Sequence, residues 1–233
     1  MFDATGMADR ETVGLENPSI EGRRRGRRRG REGRLAVAAS PLKRGFDILM
    51  AGLALLLFLP LLLMIAAAIR VESRGPAIFK QRRTGYRGQI FTIYKFRTMT
   101  VTEDSETVRQ ATRNDQRVTA VGALLRKLSI DELPQLWNVV KGDMSIVGPR
   151  PHALAHDDYY GGQIPTYAAR FRARPGLTGY AQVNGFRGEI FDLRCMSDRV
   201  AADNSYIDGW SPTLDLAILV RTLPLIFSDP NAY

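Results

Sequence analysis

The longest uninterrupted apolar stretch runs from Phe46 to Ile69, where Asp47 is the one charged side chain. As a straight helix it would extend about 36 Å at about 1.5 Å per residue, enough to cross a bilayer. Lys43 and Arg44 precede it, and Arg70, Arg74, Lys80, Arg82 and Arg83 follow. The tendency of basic flanks to remain cytoplasmic therefore applies to both ends. A simple span satisfies only one of them. Pro60, near the middle, removes a backbone hydrogen bond and meets the carbonyl of Leu56, so the pattern predicts a break there and a re-entrant helix over 41–70. A straight transmembrane helix is the alternative.

Beyond Gly75-Pro76, residues 77–81 and 89–97 are apolar or β-branched runs flanking the turn-rich Thr84-Gly85-Tyr86-Arg87-Gly88, which predicts a β-hairpin. Alternation along the second strand would place Lys95 and Arg97 on one face with Ile93, and Tyr94 and Phe96 on the other. A pair of cations there reads either as a solvated face or as a diphosphate contact. Residues 100–117 are polar without a core face, which predicts a surface helix or loop. Thr119 then caps a short helix carrying Val121, Leu124, Leu125 and Leu128. Pro175-Gly176-Leu177-Thr178-Gly179 predicts a turn, Met196–Tyr206 a helix, and Trp210–Phe227 a helix ended or kinked at Pro224. That last segment suits a membrane interface or burial against the core.

Charge sharpens this picture. The 233 residues carry a formal net charge of +9, which points to an anionic partner. Arg23 to Arg31 is a like-charge block broken by glycines, so 1–40 is expected to be a disordered Arg-rich tail. It lacks the interleaved aromatics of a nucleic-acid arm and suits anionic lipid headgroups, with an unspecific solvated tail as the alternative, so nucleic acid is not the expected partner. The single Cys195 permits no intrachain disulfide. No internal repeat, P-loop lysine motif or dinucleotide-binding glycine fingerprint is present.

The candidate chemistry centres on Leu128-Ser129-Ile130-Asp131-Glu132-Leu133-Pro134, two adjacent carboxylates amid bases: Arg126 and Lys127 before, Lys141 and Arg150 after. Ordinary helix capping explains the same letters, with Asp131 as N-cap or with Ser129 and Glu132 as a capping box. His152 and His156 stand i, i+4, so a metal-binding face is conceivable, but no cysteine or acidic residue completes a zinc set in sequence. Gln182 and Asn184 supply amides for a base or sugar, or for stabilising their own turn.

The string Arg126 to Pro151, together with Lys95-Phe96-Arg97-Thr98-Met99, Arg174 to Gly179 and Ala181 to Gly185, resembles the bacterial sugar transferases called monotopic phosphoglycosyl transferases, in order over roughly residues 43 to 225. The resemblance implies that Asp131 is the nucleophile on the sugar-bearing phosphate and Glu132 a catalytic partner that holds Mg²⁺. It also implies that Lys95, Arg97, Arg126, Arg150, Arg174, Gln182 and Asn184 bind substrate, and that the helix breaks at Pro60 and returns to its own side. Where many relatives have Ser before this proline, the chain has Leu59.

The implied reaction transfers a hexose 1-phosphate from a UDP-sugar to undecaprenyl phosphate with release of UMP, the first membrane step of exopolysaccharide, capsule or O-antigen synthesis. UDP-glucose is the expected donor, from the likeness of Gly148 to His156 and Asn184 to Glu189 to the glucose-transferring branch. UDP-galactose and N-acetylated sugars are the alternatives.

The expected architecture is α+β, mostly helical with a small β-hairpin, a re-entrant (broken) membrane helix and interfacial amphipathic helices. It divides into the tail (1–40), the membrane helix (41–70) and a cytoplasmic catalytic domain (71–233) at the bacterial inner membrane; a homodimer is compatible with it. Two rivals exist. A non-enzymatic membrane-tethered anion binder would need only the tail, with Asp131 as a cap. An inactive scaffold is opposed by the intact acidic pair and cations.

Overall fold

The computed structural model describes residues 37–100, 115–186, 188, 190 and 192–228. The Arg-rich block and residues 101–114, where a surface helix or loop was expected, lie outside them. Val37 and Ser40, in the last residues of the expected tail, are 3% and 5% exposed. Ser40 caps α1 (Pro41–Glu72), its hydroxyl accepting from the Lys43 amide, with Pro41 at the first position, where its missing N–H costs nothing. At 32 residues α1 is one helical element running through Pro60.

What differs across Pro60 is the packing. Before it, Ala51 is buried with Ile93, Leu136, Val139 and Met144. After it, Ile65 and Ile69 are buried with Phe96 and Leu125. Polar ties accompany the first half: Arg44 donates to the carbonyls of Val139 (2.6 Å) and Val140 (2.9 Å). Asp47 accepts from Ser145 Oγ (2.7 Å) and the Ile146 amide (3.1 Å). The opposite side is bare leucine and methionine, with Leu56 71%, Leu57 74% and Leu63 63% exposed.

The hairpin forms as read, β1 (Ile78–Thr84) antiparallel to β2 (Ile90–Phe96), with Lys95 opposite Phe79. Thr119 caps α2 (Ala120–Lys127) by accepting from the Gly122 amide at 3.0 Å. α3 (Gln135–Lys141) follows, and its Asn138 is fully buried. The Asn138 amide accepts from the Tyr94 N–H (3.1 Å) and donates to the Thr92 carbonyl (2.7 Å), fixing β2 against α3.

A second sheet was not expected: β3 (Ser145–Val147) pairs in parallel with β4 (Gly176–Thr178), where a turn was read. Three-residue strands are too short for a two-residue period to register. Their contact needs glycine, since a Cβ on Gly148 or Gly176 would collide with the facing backbone. α4 (Leu154–Gly161), the single turn α5 (Tyr180–Val183), α6 (Leu193–Gly209) and α7 (Pro212–Ser228) complete the body. α7 continues past Pro224 rather than ending there, with Ile218 buried and Leu216, Val220 and Leu223 exposed at helical spacing.

α1 and α7 meet at a buried ion pair. Lys43 Nζ lies 2.7 Å from Asp215 Oδ2, the two side chains 6% and 8% exposed. Tyr206 and Trp210 donate to the same carboxylate at 2.8 and 3.1 Å.

Candidate active site

The acidic pair does not cap a helix. Ser129 adopts φ 55°, a left-handed conformation that turns the chain out of α2, and Ile130–Glu132 forms a tight 3-10 turn without a side-chain cap bond. α3 begins only at Gln135. Both capping readings therefore fail, and the carboxylates are available for other work.

Their roles diverge at once. Glu132 Oε1 accepts from Lys95 Nζ and Arg150 Nη2, both at 2.8 Å, and Oε2 takes a longer 3.3 Å contact from Arg150 Nη1. Burial opposes its charge, but Arg150 and Lys95 outweigh burial and hold the carboxyl well below the usual range. The Asp131 carboxylate takes no hydrogen bond among the described residues. Burial pushes it up to about 6, with Lys95 pulling against that rise and Glu132 adding to it. Arg126, at the end of α2, and Arg150 complete its cationic surroundings. One carboxylate is clamped and the other is loose, partly desolvated and poised near neutrality.

Arg150 is itself positioned from behind. Arg170, 3% exposed, donates from Nη2 to the Arg150 carbonyl (2.6 Å) and from Nε to Asp203 (2.9 Å). His152 Nδ1 lies 2.8 Å from Arg170 Nη1 and 2.7 Å from Tyr167 Oη, which donates to Asp157. Burial, then Arg170, keeps His152 well below the ordinary imidazole value and so neutral. The i, i+4 histidines thus do not act together. His152 belongs to this buried network, His156 stacks edge-on with Tyr160, and no group of three metal-ligating side chains occurs among the described residues.

The structure brings Lys95 and Arg150 together on Glu132 beside Asp131, with the charge of Arg126 acting on Asp131; Arg97, Arg174 and Asn184 are engaged elsewhere. Arg97 lies just past the end of β2 and donates to the carbonyls of Arg74 (2.6 Å) and Ser73 (2.8 Å), closing the end of α1. Gly75, at φ 116°, makes room for it, since a Cβ there would strike the guanidinium. Arg174 donates to Gly142 (3.0 Å) and Ala38 (2.8 Å) carbonyls. Asn184 donates to the Tyr180 carbonyl at 2.7 Å, the turn-stabilising alternative. Gln182 keeps a buried, unpartnered Oε1.

Sequence reasoning missed Asn138 and Arg170. Each sits in a helix or turn whose local pattern says nothing of partners distant along the chain. A buried charge is announced only by its mate.

The chain has measurable relatives. It is 56% identical over 84% of its length, and 74% of the relative's, to a UDP-glucose:undecaprenyl-phosphate glucose-1-phosphate transferase of Caulobacter vibrioides. A protein of the same name from Escherichia coli is 49% identical over 82% of this chain, which spans only 41% of that longer protein. A UDP-N-acetylgalactosamine-undecaprenyl-phosphate N-acetylgalactosaminephosphotransferase of Aeromonas hydrophila is 43% identical over 82% of this chain and 45% of its own. The bacterial sugar transferase model matches residues 38–229, so the acidic pair, its cations and both ends of α1 all fall within the match. The chain belongs to the bacterial sugar transferase family.

Proposed function

We propose that this chain transfers glucose 1-phosphate from UDP-glucose to undecaprenyl phosphate, releasing UMP. The observation that carries the reading is the division of labour at the acidic pair: Glu132 locked between Lys95 and Arg150, and Asp131 unbonded beside it. An ionised Asp131 oxygen attacks the sugar-bearing phosphorus, and the bond from that phosphorus to the bridging oxygen breaks, its electron pair leaving with UMP. A phosphate oxygen of the lipid then attacks the acylphosphate, the phosphorus–aspartate bond breaks, and the carboxylate is restored. Lys95, Arg126 and Arg150 stand where anionic oxygens would gather, and fixed charges of this kind are worth most where charge develops. The lipid-linked product is the substrate expected of a further glycosyl transfer in assembly of a surface polysaccharide.

A divalent cation fits the site as a proposal. Among the described residues Glu132 Oε2 has one long hydrogen bond and Asp131 none, leaving hard oxygen donors, and no third protein ligand joins them; donor phosphates would complete the shell, the usual Mg²⁺ arrangement. Bound there, Mg²⁺ would offset diphosphate charge. A panel of UDP-sugars with undecaprenyl phosphate, scored for UMP release, tests the reading. UDP-glucose should give the highest catalytic efficiency, and UDP-galactose or UDP-N-acetylgalactosamine in front would refute the sugar assignment while sparing the reaction. No UMP from any donor would refute the reaction itself.

We also propose that α1 enters the inner membrane and returns to the cytoplasmic side, where the body sits. Both halves of the helix pack on that one body, through Ala51 before Pro60 and Ile65 and Ile69 after it. A straight span would strip one half from its partners and pull a basic flank across. The bare apolar side between them is the part offered to lipid, with Leu216, Val220 and Leu223 of α7 a second apolar face suited to the interface. Cysteines placed singly at Ala39 and at Arg74, both exposed, in a Cys195→Ser background should both resist an impermeant thiol reagent in intact cells and both react after permeabilisation. Labelling of one end from outside would establish a span.

A further inference from the structure

Arg150 reaches Glu132 from the stretch of chain where the β3–β4 ladder gives out. Past β3 the Gly148 amide donates to the Thr178 carbonyl and the Gly176 amide to the Pro149 carbonyl, both at 2.9 Å. Pro149 and Pro151 flank Arg150 and bring no N–H of their own. The Arg150 carbonyl is met instead by a side chain, accepting from Arg170 Nη2 at 2.6 Å. The same guanidinium grips the far side of Pro151, with Nη1 2.8 Å from His152 Nδ1. Its third nitrogen, Nε, donates to Asp203 Oδ2 at 2.9 Å. Arg170 lies in a 3-10 segment, Tyr167–Arg172, and Asp203 on α6. At 3% and 1% exposed, both are too enclosed to touch a substrate.

Apolar side chains of similar size often join two elements as well as a buried ion pair, or better. What the pair adds is direction. A guanidinium is a planar fork with donors at fixed angles, so seating Nε on Asp203 also sets where Nη1 and Nη2 point. Those two nitrogens hold the chain on both sides of Pro151, whose ring fixes its own φ. From this corner the Arg150 side chain reaches Glu132 with both terminal nitrogens, at 2.8 and 3.3 Å. An unbroken run of contacts leads from Asp203 through Arg170 and Arg150 to the clamped carboxylate.

We infer that Asp203 is a positioning residue for the reaction proposed above, on which this rests: through Arg170 it sets the main chain from which Arg150 holds Glu132. Displacing the Arg150 guanidinium by about 1 Å is enough to cost about 10²-fold in rate. A pair that only fastened α6 to the 3-10 segment would act on stability alone. It would leave the rate of a folded variant unchanged, and its effect would not depend on Arg150.

The test uses full-length protein in phosphatidylcholine nanodiscs, with UDP-glucose and a polyprenyl phosphate, and reads UMP release alongside melting temperature. Asp203→Asn keeps the shape of the side chain and removes its charge. The paired replacement Arg170→Met with Asp203→Leu removes both charges at similar volume, and carries the test should Asp203→Asn fail to fold. Each should lower kcat about 10- to 100-fold with KM for UDP-glucose within about threefold, and the paired variant should melt near wild type. In an Arg150→Ala background the same replacements should slow single-turnover adduct formation by less than about twofold more, because the side chain they position is gone. A folded variant with kcat within about twofold of wild type overturns the inference, as does a loss that multiplies undiminished in Arg150→Ala. If Arg150→Ala forms no adduct, the kcat of the folded paired variant decides alone. Wild-type protein that releases no UMP would instead refute the underlying reaction.

Discussion

Asp131→Asn should abolish turnover, by about 10⁴-fold or more, the scale on which removal of a covalent nucleophile acts, and should leave the protein folded. The amide keeps the shape of the side chain but cannot form the acylphosphate. Intact-mass measurement after mixing with UDP-glucose should show a hexose phosphate on wild type and none on the variant. The pH dependence offers a second reading of the same residue. Its carboxyl is pushed up to about 6 by burial, and only the ionised form attacks, so the rate should fall as pH drops through about 6 rather than near 4. Glu132→Gln should behave differently, since Arg150 and Lys95 lose their shared anchor: adduct formation slows and the Mg²⁺ titration shifts. Wild-type turnover in Asp131→Asn would end the assignment.

Asp215→Ala should cost about 3–5 kcal/mol, because it leaves Lys43 charged in a site where its side chain is 6% exposed. For a body of this size that is a fall of about 10 °C in melting temperature. The loss should concentrate at the junction of α1 with α7, where Tyr206 and Trp210 also lose their acceptor. Asp208→Ala, which breaks the exposed Arg172–Asp208 pair at 2.7 Å, is the control; surface pairs contribute about 0–1 kcal/mol, so its melting curve should barely move. The paired replacement Lys43→Met with Asp215→Leu should recover much of the loss by removing both charges. If Asp215→Ala melts within about 2 °C of wild type, the ion pair is not the clasp described here.

The contrast between Lys95 and Arg97 shows what the sequence could carry. Period-two alternation puts both on one face, and that much was legible. The strand ends at Phe96, however, so Arg97 is released from the alternation and turns to the carbonyls that close α1, while Lys95 reaches Glu132. The apolar helix, the hairpin and the Thr119 cap are written locally, in composition, turn residues and one side-chain acceptor. Asp131 and Glu132 were equally visible, but their letters also fit a helix cap, and only the left-handed turn at Ser129 excludes that. Arg170 was hidden because its partners, Asp203 and the Arg150 carbonyl, lie elsewhere in the chain, and a helical arginine looks solvent-facing until those partners are known. The parallel pairing of β3 with β4 was hidden for a similar reason, since it joins two three-residue segments about thirty positions apart.

The polar ties at the start of α1 also constrain how the molecule is made. Arg44 and Asp47 wait for acceptors and donors 95 to 99 positions later, and Lys43 waits for a carboxylate 172 positions later. At about 5–20 residues per second, a ribosome takes roughly 10–30 s to deliver that last partner. During this interval the most apolar helix of the chain is already out, with its charged end unmatched. Holding those charges in interfacial water until α7 arrives is less costly than burying them early. Among the described residues, α1 is therefore locked at Lys43 only once α7 has followed it.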